Sequence, residues 1–389
     1  MPHPELGRIG FLLGGGGCAE GLPQAVQIQE FWKAGIRPDY IAAFSVGVFN
    51  ALDLENALHV WEGHFDNPWA IYDLNPDIKK FLLNIYKSIP EPLLRKHKGS
   101  FDLWSDWYKY KKKKYKNFKE LWIDIRNLKS YAKQIVSSLP ILPENTGPSS
   151  KDLAPFLQNL ITLIREFELN KVESFFEPSP LIKTLSEVLD FERIFERKTT
   201  LHIFARSWSK DYIFSCGEDL SRRATKLISE NYRIYRLESP KELLLATMAS
   251  SAIRPFFSPV CINGTAFWDS GIVNPYPIEC AMDAECDTIF AFIKNHKEKN
   301  GGDLDIFSGL VESSDEAARR RFLDQQKMAR LREKLGGRKP HMIVKPAPLH
   351  PDLDLLWISP VAMEYTIKTE REATRKWLKE SLNIESPAE

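Results

Sequence analysis

Residues 8–47 read RIGFLLGGGGCAEGLPQAVQIQEFWKAGIRPDYIAAFSVG, and this stretch decides the fold class. Residues 8–13 form a short apolar run that stops at four glycines, which is typical of a buried strand that ends in a loop. Residues 40–44 form a second short strand, and Ser45 stands where that strand ends. Strands of this kind, separated by a helical pattern, indicate an α/β protein.

Two helices are predicted around the second strand. In the first, Pro23 suits the first turn and Gly35 supplies the stop. The second should run from Ser45 to Phe65, because apolar residues recur there at spacings of three and four. The order strand, helix, strand, helix predicts a parallel sheet. The apolar stripe consists of Ala51, Leu54, Leu58, Trp61 and Phe65.

The composition is that of a globular chain. Of its 389 residues 43% are hydrophobic and 27% charged, which fits one large domain with an insertion, or about two domains. With 53 basic and 52 acidic residues the formal net charge is +1, so a nucleic-acid partner is disfavoured. Five cysteines without a C-x-x-C pair argue against a disulfide framework and against a thiolate zinc site.

Targeting signals are also missing from the sequence. No window approaches the roughly 18 apolar residues that span a bilayer. The opening residues MPHPEL contain neither a basic nor an apolar signal segment. We expect a cytoplasmic protein with peripheral membrane contact, and secretion without a cleavable signal stays open as an alternative.

Three segments are expected along the chain. Residues 1–63 and 186–389 carry the strand patterns of a core, whereas 64–185 has Pro-containing breaks, aromatics and charged helical stretches. We interpret that middle segment as a mostly helical insertion or lid. The later strands are predicted at 201–205, 212–216, 260–262, 288–293 and 341–344, and a final helix at 363–382.

Ser45 is the first candidate for chemistry. It lies in AFSVG, residues 43–47, a near match to G-x-S-x-G between a strand and a helix. That context is required for a nucleophile elbow, in which a strained turn exposes the hydroxyl at the top of the sheet. The alternative is an ordinary serine N-cap, since serine is common before a helix.

The glycine run 14–17 ends the first strand, on the same edge of a parallel sheet as Ser45. Glycines there let backbone N–H groups converge on an oxyanion or a phosphate. A dinucleotide fingerprint fits poorly, and the lysine of a P-loop is missing. An oxyanion hole is favoured over these ligands and over a simple tight turn.

Asp269 lies in FWDSG, residues 267–271. Alone, this sequence most often forms an Asx-type turn. A catalytic aspartate needs partial burial to raise its pKa, and Phe267 and Trp268 would supply it.

Together these motifs resemble the patatin-like phospholipases, particularly the bacterial type. The resemblance implies a three-layer α/β/α sandwich around a mainly parallel sheet, with a largely helical insertion. It covers roughly residues 8–62 and 185–295. The matching stretches are LGGGG at 13–17, AGIRPDY at 34–40, SVG at 45–47, ASSAIRPFFSPV at 249–260 and WDSGIVNP at 268–275.

The resemblance also implies a Ser-Asp dyad. Ser45 would attack the carbonyl of a phospholipid or another acyl ester, and Asp269 would accept its proton on the way to an acyl-enzyme. No metal or cofactor is implied. Backbone N–H groups of Gly14, Gly15, Gly16, Gly17 and Cys18 would hold the oxyanion, and Ala43, Gly47 and Gly271 support the motifs.

Three positions depart from the family pattern. Ala43 and Ser270 replace glycines, and the basic residue expected just after the glycine run is Ala19 or Glu20. These departures motivate a rival interpretation, a catalytically degenerate lipid-binding or interaction protein on the same fold.

A basic stretch, residues 95–119, has ten basic and two acidic residues interleaved with aromatic ones. A solvated helix face and a membrane-docking lid are both compatible with it, and nucleic acid is a distant third. His296, His341 or His350 could close a Ser-Asp-His triad, but no pattern links them to Ser45. The membrane contacts would be Trp104, Trp107, Tyr108, Lys111, Lys112, Lys113 and Lys114.

Overall fold

The structure is a computed structural model, and it divides into two units, Met1–Ile71 with Ser179–Glu389 and Tyr72–Pro178. It describes residues 4–62, 64–65, 72–78, 80, 84, 174, 176–208, 210–217, 232–254, 256–270, 278–293, 323–324, 326–327, 330, 341–348, 350, 358 and 360–385.

The first unit contains the central sheet, in which seven strands follow the order β11-β10-β1-β2-β5-β6-β7. β9 pairs with β5, and β8 pairs with β9. All neighbours from β11 to β5 are parallel, as are β6 and β7, so the predicted mainly parallel sheet is confirmed. The strands are β1 Ile9–Leu13, β2 Tyr40–Ala43, β5 Thr200–Ser207, β6 Lys210–Cys216, β7 Tyr232–Arg236, β8 Val260–Ile262, β9 Thr265–Asp269, β10 Thr288–Phe292 and β11 His341–Val344.

Seven α-helices of this unit are described from end to end. They are α1 Cys18–Lys33, α2 Val46–Leu52, α3 Ser179–Val188, α4 Phe191–Phe195, α5 Pro240–Ser251, α6 Ile278–Asp283 and α7 Pro360–Leu382. None of the helices within the described part of the chain is long and apolar enough to cross a membrane.

The helices cover both faces of the sheet. On one face Phe31 of α1 packs edge-on against Phe290 and Phe292 at 5.1 Å and stacks on Trp377 of α7 at 5.7 Å. On the other face Leu12 and the small side chains of the central strands pack against Ile278, Cys280 and Ala281 of α6. β1 is buried along its whole length, as expected for a parallel strand covered on both sides.

A buried ion-pair cluster ties α7 to α1. Glu30 of α1 is fully buried, and its carboxylate lies 2.6 Å from Arg375, 3.4 Å from Arg371 and 3.2 Å from Lys33. Near it, Gln27 donates to Glu370 at 2.7 Å. Along this contact the residue numbers of both helices increase in the same direction, from Gln27 and Glu370 to Glu30 and Arg375, so α1 and α7 run parallel.

Two predicted helix boundaries are wrong, the start of α1 after the glycine run and the end of α2. α1 already begins at Cys18, because Glu20 and Gly21 donate to the carbonyl of Gly17, and Pro23 therefore lies inside the helix. α2 ends at Leu52 rather than at Phe65. Asp53 leaves helical geometry, and its carboxylate accepts from the Asn56 N–H; turns follow. The apolar stripe beyond it is nevertheless buried.

The second unit is described only in part. There β3 Asp73–Leu74 and β4 Phe176–Glu177 form an antiparallel pair, with Tyr72 packed on Phe176 at 4.8 Å between ring centroids. The predicted helical character of 64–185 falls mostly on residues outside those described, as do Trp104, Trp107, Tyr108 and Lys111 to Lys114. The predicted segment boundaries stay predictions.

Candidate active site

Strand register places Ser45 and Asp269 at one edge of the sheet. Ala43 pairs with Leu13 on one side and with Ile203 on the other, and Ser45 follows two residues later. Two residues beyond Ile203 on β5, Ala205 pairs with Asp269. Ser45 and Asp269 are therefore both at the carboxyl edge of the parallel strands, with exposed fractions of 4% and 6%.

Ser45 adopts a strained backbone at the turn from β2 to α2, as the predicted nucleophile elbow would require. Its φ of 53° and ψ of −136° are costly for a residue with a side chain, by about 1–3 kcal/mol. It precedes α2, but its hydroxyl makes no cap hydrogen bond. Ser45 thus stands at the N-cap position of α2, but its side chain does not cap the N-terminus of the helix.

A second serine holds this strained turn. The Ser45 N–H donates to Ser250 Oγ at 2.9 Å, and Ser250 Oγ donates to the carbonyl of Phe204 at 2.7 Å. Ser250 lies in the last turn of α5 and is fully buried. Two residues further on, the carbonyl of Ala252 accepts from the Asp269 N–H at 3.1 Å. One helix end thus positions the backbone of both Ser45 and Asp269.

The glycine loop lies directly against the serine. A Cβ built on Gly15 would overlap Ser45 Cβ and would stand 3.1 Å from Ser45 Oγ. A Cβ on Gly47 would lie 2.5 Å from the Leu13 carbonyl oxygen and 2.6 Å from that of Gly14. Both positions therefore need glycine, because two backbone segments approach closely there.

A buried network of polar side chains on α1 and α2 is hydrogen-bonded to the glycine loop. Gln24 Nε2 donates to the Gly14 carbonyl at 3.3 Å, and Asn50 Nδ2 donates to the Gly21 carbonyl at 2.9 Å and to Gln24 Oε1 at 3.0 Å. Trp61 Nε1 donates to Asn50 Oδ1 at 2.8 Å. Sequence reasoning missed this network. Gln24 and Asn50, polar residues within otherwise buried helix stretches, were the only sequence sign of it.

Glu20 occupies the far side of the same loop. It is 7% exposed, and its carboxylate fills the space that a Cβ on Gly16 would take. Of the two residues considered for the position after the glycines, Glu20 is thus the one turned towards them. It brings an acidic group to a loop whose proposed task is to bind an anion.

Asp269 is the last residue of β9, and the expectation that Phe267 and Trp268 both surround it is met by Phe267 alone. Phe267 lies on its side of the strand, buried, and contacts the rings of Tyr212 and Phe214 at 4.9 and 5.1 Å. Trp268 points to the opposite side, since side chains alternate along a strand, so of these two residues Phe267 is the one on the side of Asp269. Ser270 is buried, and Gly271 lies outside the described residues.

A histidine triad gains no support. His341 is the first residue of β11, a parallel strand, and so lies at the edge opposite Ser45. His202 is buried within β5, bonded to the Tyr40 hydroxyl at 3.0 Å, and burial lowers its pKa to about 4. His296 falls outside the described residues, and His350 packs on the ring of Tyr365 at 5.1 Å between centroids. Within the described ranges no group of three His, Cys, Asp or Glu side chains could hold a metal ion.

Comparison with known proteins agrees with the motifs. The family model for patatin-like phospholipases matches residues 11–282, a range that includes the glycine loop, Ser45 and Asp269. Among solved structures the chain is similar to VipD from Legionella pneumophila, with 13% identity and a TM-score of 0.34, over 97% of this chain and 67% of that one. No curated protein sequence matches it.

Proposed function

The chain belongs to the patatin-like phospholipase family, and on that premise we propose that it is a lipid acyl hydrolase that uses Ser45 and Asp269 as a catalytic dyad. Family membership supports lipid acyl hydrolysis in general. The observation that carries the assignment of Ser45 is its positive φ at the end of β2, with a hydroxyl that does not cap α2 and that faces Gly15.

In the first step Ser45 Oγ attacks the ester carbonyl while its proton passes to Asp269. The bond from the carbonyl carbon to the alcohol oxygen then breaks, and the leaving alcohol takes the proton from Asp269. In the second step water attacks the acyl-enzyme and gives a proton to Asp269. That proton returns to Ser45 as the fatty acid leaves.

The negative charge that develops on the carbonyl oxygen needs donors. The Ser45 N–H is engaged by Ser250, and those of Glu20 and Gly21 donate to the Gly17 carbonyl. We therefore assign the oxyanion to backbone N–H groups of the loop 14–18, which leads into the N-terminus of α1. The helix dipole adds favourable potential there.

A fluorophosphonate probe and a short p-nitrophenyl ester test this proposal. We expect the wild type to be labelled on Ser45 and to turn over the ester, and Ser45→Ala to lose both. Asp269→Asn should lose turnover by a factor of roughly 100 or more, in line with the loss of a general base. Ser251→Ala, which removes a hydroxyl that bonds only within α5, is the matched control. A folded wild type that neither labels nor turns over would contradict the proposal.

A second candidate is a lipid-binding protein without turnover, and Glu20 is the observation that favours it. A carboxylate beside Gly16 opposes negative charge on the loop. Phospholipid binding by a wild type that is inert towards probe and ester would support this candidate. Restoration of turnover by Glu20→Gln would identify the carboxylate as the cause.

We further propose that residues 1–63 and 186–389 form the catalytic core, since every residue assigned above belongs to the first unit. The segment 64–185 would then set acyl-chain selectivity. Replacing it by a short linker should change the preferred chain length while a short soluble ester is still hydrolysed. Loss of that basal hydrolysis in a folded variant would contradict the division.

A further inference from the structure

Three of the five exposed large apolar side chains among the described residues lie at the edge that carries the candidate active site, and the other two are Ile234 and Leu323. Among the described residues the most exposed large hydrophobic side chain is Trp208, at 75%. Val361 is 69% exposed and Tyr365 45%. All three lie at the carboxyl edge of the parallel strands.

Trp208 stands at the tip of a hairpin next to Asp269. It follows β5 and precedes β6, whose end residues Ser207 and Lys210 pair, so it is the first residue of a two-residue loop. Its φ is 45°, a conformation that such loops usually assign to glycine or asparagine. A bulky side chain in this conformation is an outlier of the kind that marks functional segments.

Trp208 is connected to the catalytic strand by direct contacts. Its ring meets that of Trp268, the neighbour of Asp269, edge-on at 5.6 Å between centroids. The guanidinium of Arg254 lies 4.4 Å over the Trp268 ring, and Arg206 Nε donates to the Trp208 carbonyl at 3.2 Å. Trp208 thus extends outward from an aromatic and basic cluster beside the site.

Val361 and Tyr365 lie on the other side of the site. Because α1 and α7 run parallel and Gln27 contacts Glu370, equal steps back along each helix lead to Cys18 and to Val361. Cys18 is the residue where the glycine loop enters α1. The first turn of α7 therefore stands level with that loop.

We propose that Trp208, Val361 and Tyr365 form a docking surface for an anionic lipid bilayer, with the carboxyl edge of the sheet towards the lipid. Tryptophan and tyrosine favour the membrane interface, and basic residues are attracted to anionic headgroups. Around Trp208 the basic residues Arg206, Lys210 and Arg254 accompany the aromatic rings, and the acidic Asp211 is paired with Arg206. On α7 one exposed carboxylate, Glu364, lies between Val361 and Tyr365, so the basic attraction comes from the Trp208 side. The idea that docking presents the active site to a lipid substrate rests on the proposed function. Docking itself does not require turnover.

Co-sedimentation with vesicles tests the docking surface in the full chain. Wild type and Ser45→Ala are mixed with phosphatidylcholine vesicles, with and without phosphatidylglycerol, and both proteins should bind the anionic vesicles more strongly. Trp208→Ala should weaken that binding about tenfold or more, because most of a large exposed ring is removed. Val361→Ser, a smaller change on the opposite side of the site, should weaken it by a few-fold.

Trp32→Ala is the matched control. Trp32 is a half-exposed tryptophan with Arg37 over its ring at 3.6 Å, but it lies at the end of α1 and so at the opposite edge of the sheet. Its removal should leave vesicle binding unchanged.

Hydrolysis of a short soluble ester separates docking from catalysis. Trp208→Ala should keep this activity and lose activity on vesicles. Since Ser45→Ala still docks, an inert wild type that binds vesicles through Trp208 would contradict the proposed hydrolase but support the docking surface. A wild type that ignores vesicles, equal binding by Trp208→Ala, or an equal loss with Trp32→Ala would each overturn it.

Discussion

The N–H of Ser45 donates to the hydroxyl of Ser250 at 2.9 Å, across 205 residues of sequence. This hydrogen bond fixes the amide of a residue whose φ of 53° is intrinsically unfavourable. Because Ser250 Oγ in turn donates to the Phe204 carbonyl, β5 and α5 hold the turn that presents Ser45. Ser250 thus acts on Ser45 through its backbone and not through a substrate.

Ser250→Ala should lower kcat for a short ester by roughly tenfold to 100-fold with KM unchanged, because the nucleophile loses its fixed orientation. Ser250→Cys, which keeps a weak donor and acceptor, should restore part of the loss. Steady-state kinetics give both values. Ser251→Ala should behave as wild type, since its hydroxyl donates to Thr247 in its own helix. A matching rise in KM would argue against a positioning role.

Alanine at Gly15 and at Gly47 should fail in different ways. At Gly15 the methyl group meets the Ser45 side chain, so we expect hydrolysis to fall at least 100-fold. At Gly47 it meets the carbonyls of Leu13 and Gly14, so the main loss should be about 1–3 kcal/mol of unfolding free energy. Ester kinetics and urea denaturation of both variants check the contrast. Full activity in Gly15→Ala would refute the close approach.

Asn50→Ala should destabilise the core by about 3 kcal/mol. The side chain connects the Gly21 carbonyl, Gln24 and Trp61, and all of these groups are buried. Truncation leaves their polar atoms without partners. Denaturant unfolding measures the change. Asn56→Ala, at an exposed position that bonds only to Asp53, should stay within about 0.5 kcal/mol of wild type.

Glu20→Gln should raise kcat. Neutralising this carboxylate beside Gly16 removes a like charge near the developing oxyanion, so kcat should rise several-fold, which corresponds to about 1 kcal/mol of the barrier. Ester turnover at neutral pH checks this. Glu62→Gln, which removes a solvent-exposed carboxylate, serves as a charge-matched control. An unchanged or lower kcat would mean that Glu20 serves the loop in another way.

Glu370 should make stability fall as pH rises. Burial raises its pKa to about 7, against hydrogen bonds from Ala347, Gln27 and Thr374. Between the usual glutamate pKa of about 4.5 and 7 the folded chain keeps a proton that the unfolded chain loses, so about 3 kcal/mol is lost across this window. Unfolding of wild type and Glu370→Gln from pH 4.5 to 8 should show a difference that changes with pH; a constant difference would contradict it.

Local patterns predicted the strands of the sheet well, because buried parallel strands are short apolar runs that stop at turn residues. β7 and β9 were missed: β7, Tyr-Arg-Ile-Tyr-Arg at the sheet edge, carries charges towards solvent, and β9, Thr265–Asp269, was interpreted only as an apolar stretch that leads to Asp269. The end of α2 was missed as well. Residues 54–65 keep helical spacing and are largely buried, but Asp53 and Asn56 divert the backbone into turns.

For the candidate site, too, some residues could be predicted from the sequence and others could not. Ser45 and the glycine run could be predicted because each directly follows a predicted strand. The strand register places Asp269 at the same edge of the sheet. The residues that support them, Ser250 and Asn50, act through single hydrogen bonds that no periodicity encodes. The inward position of Glu20 likewise depends on the start of α1 at Cys18, and the predicted start of this helix was wrong.

The ion pairs of Glu30 also bear on synthesis of the chain. A ribosome delivers β1, α1 and Ser45 first, but β10 and the arginines of α7 come hundreds of residues later. Until then β1 lacks its second neighbour β10, and the Glu30 carboxylate has only Lys33 of its own helix and lacks Arg371 and Arg375, which disfavours burial of α1 against the sheet. Nascent chains should therefore remain without the proposed esterase activity until α7 has emerged, so assembly of the candidate site would wait for this distant helix.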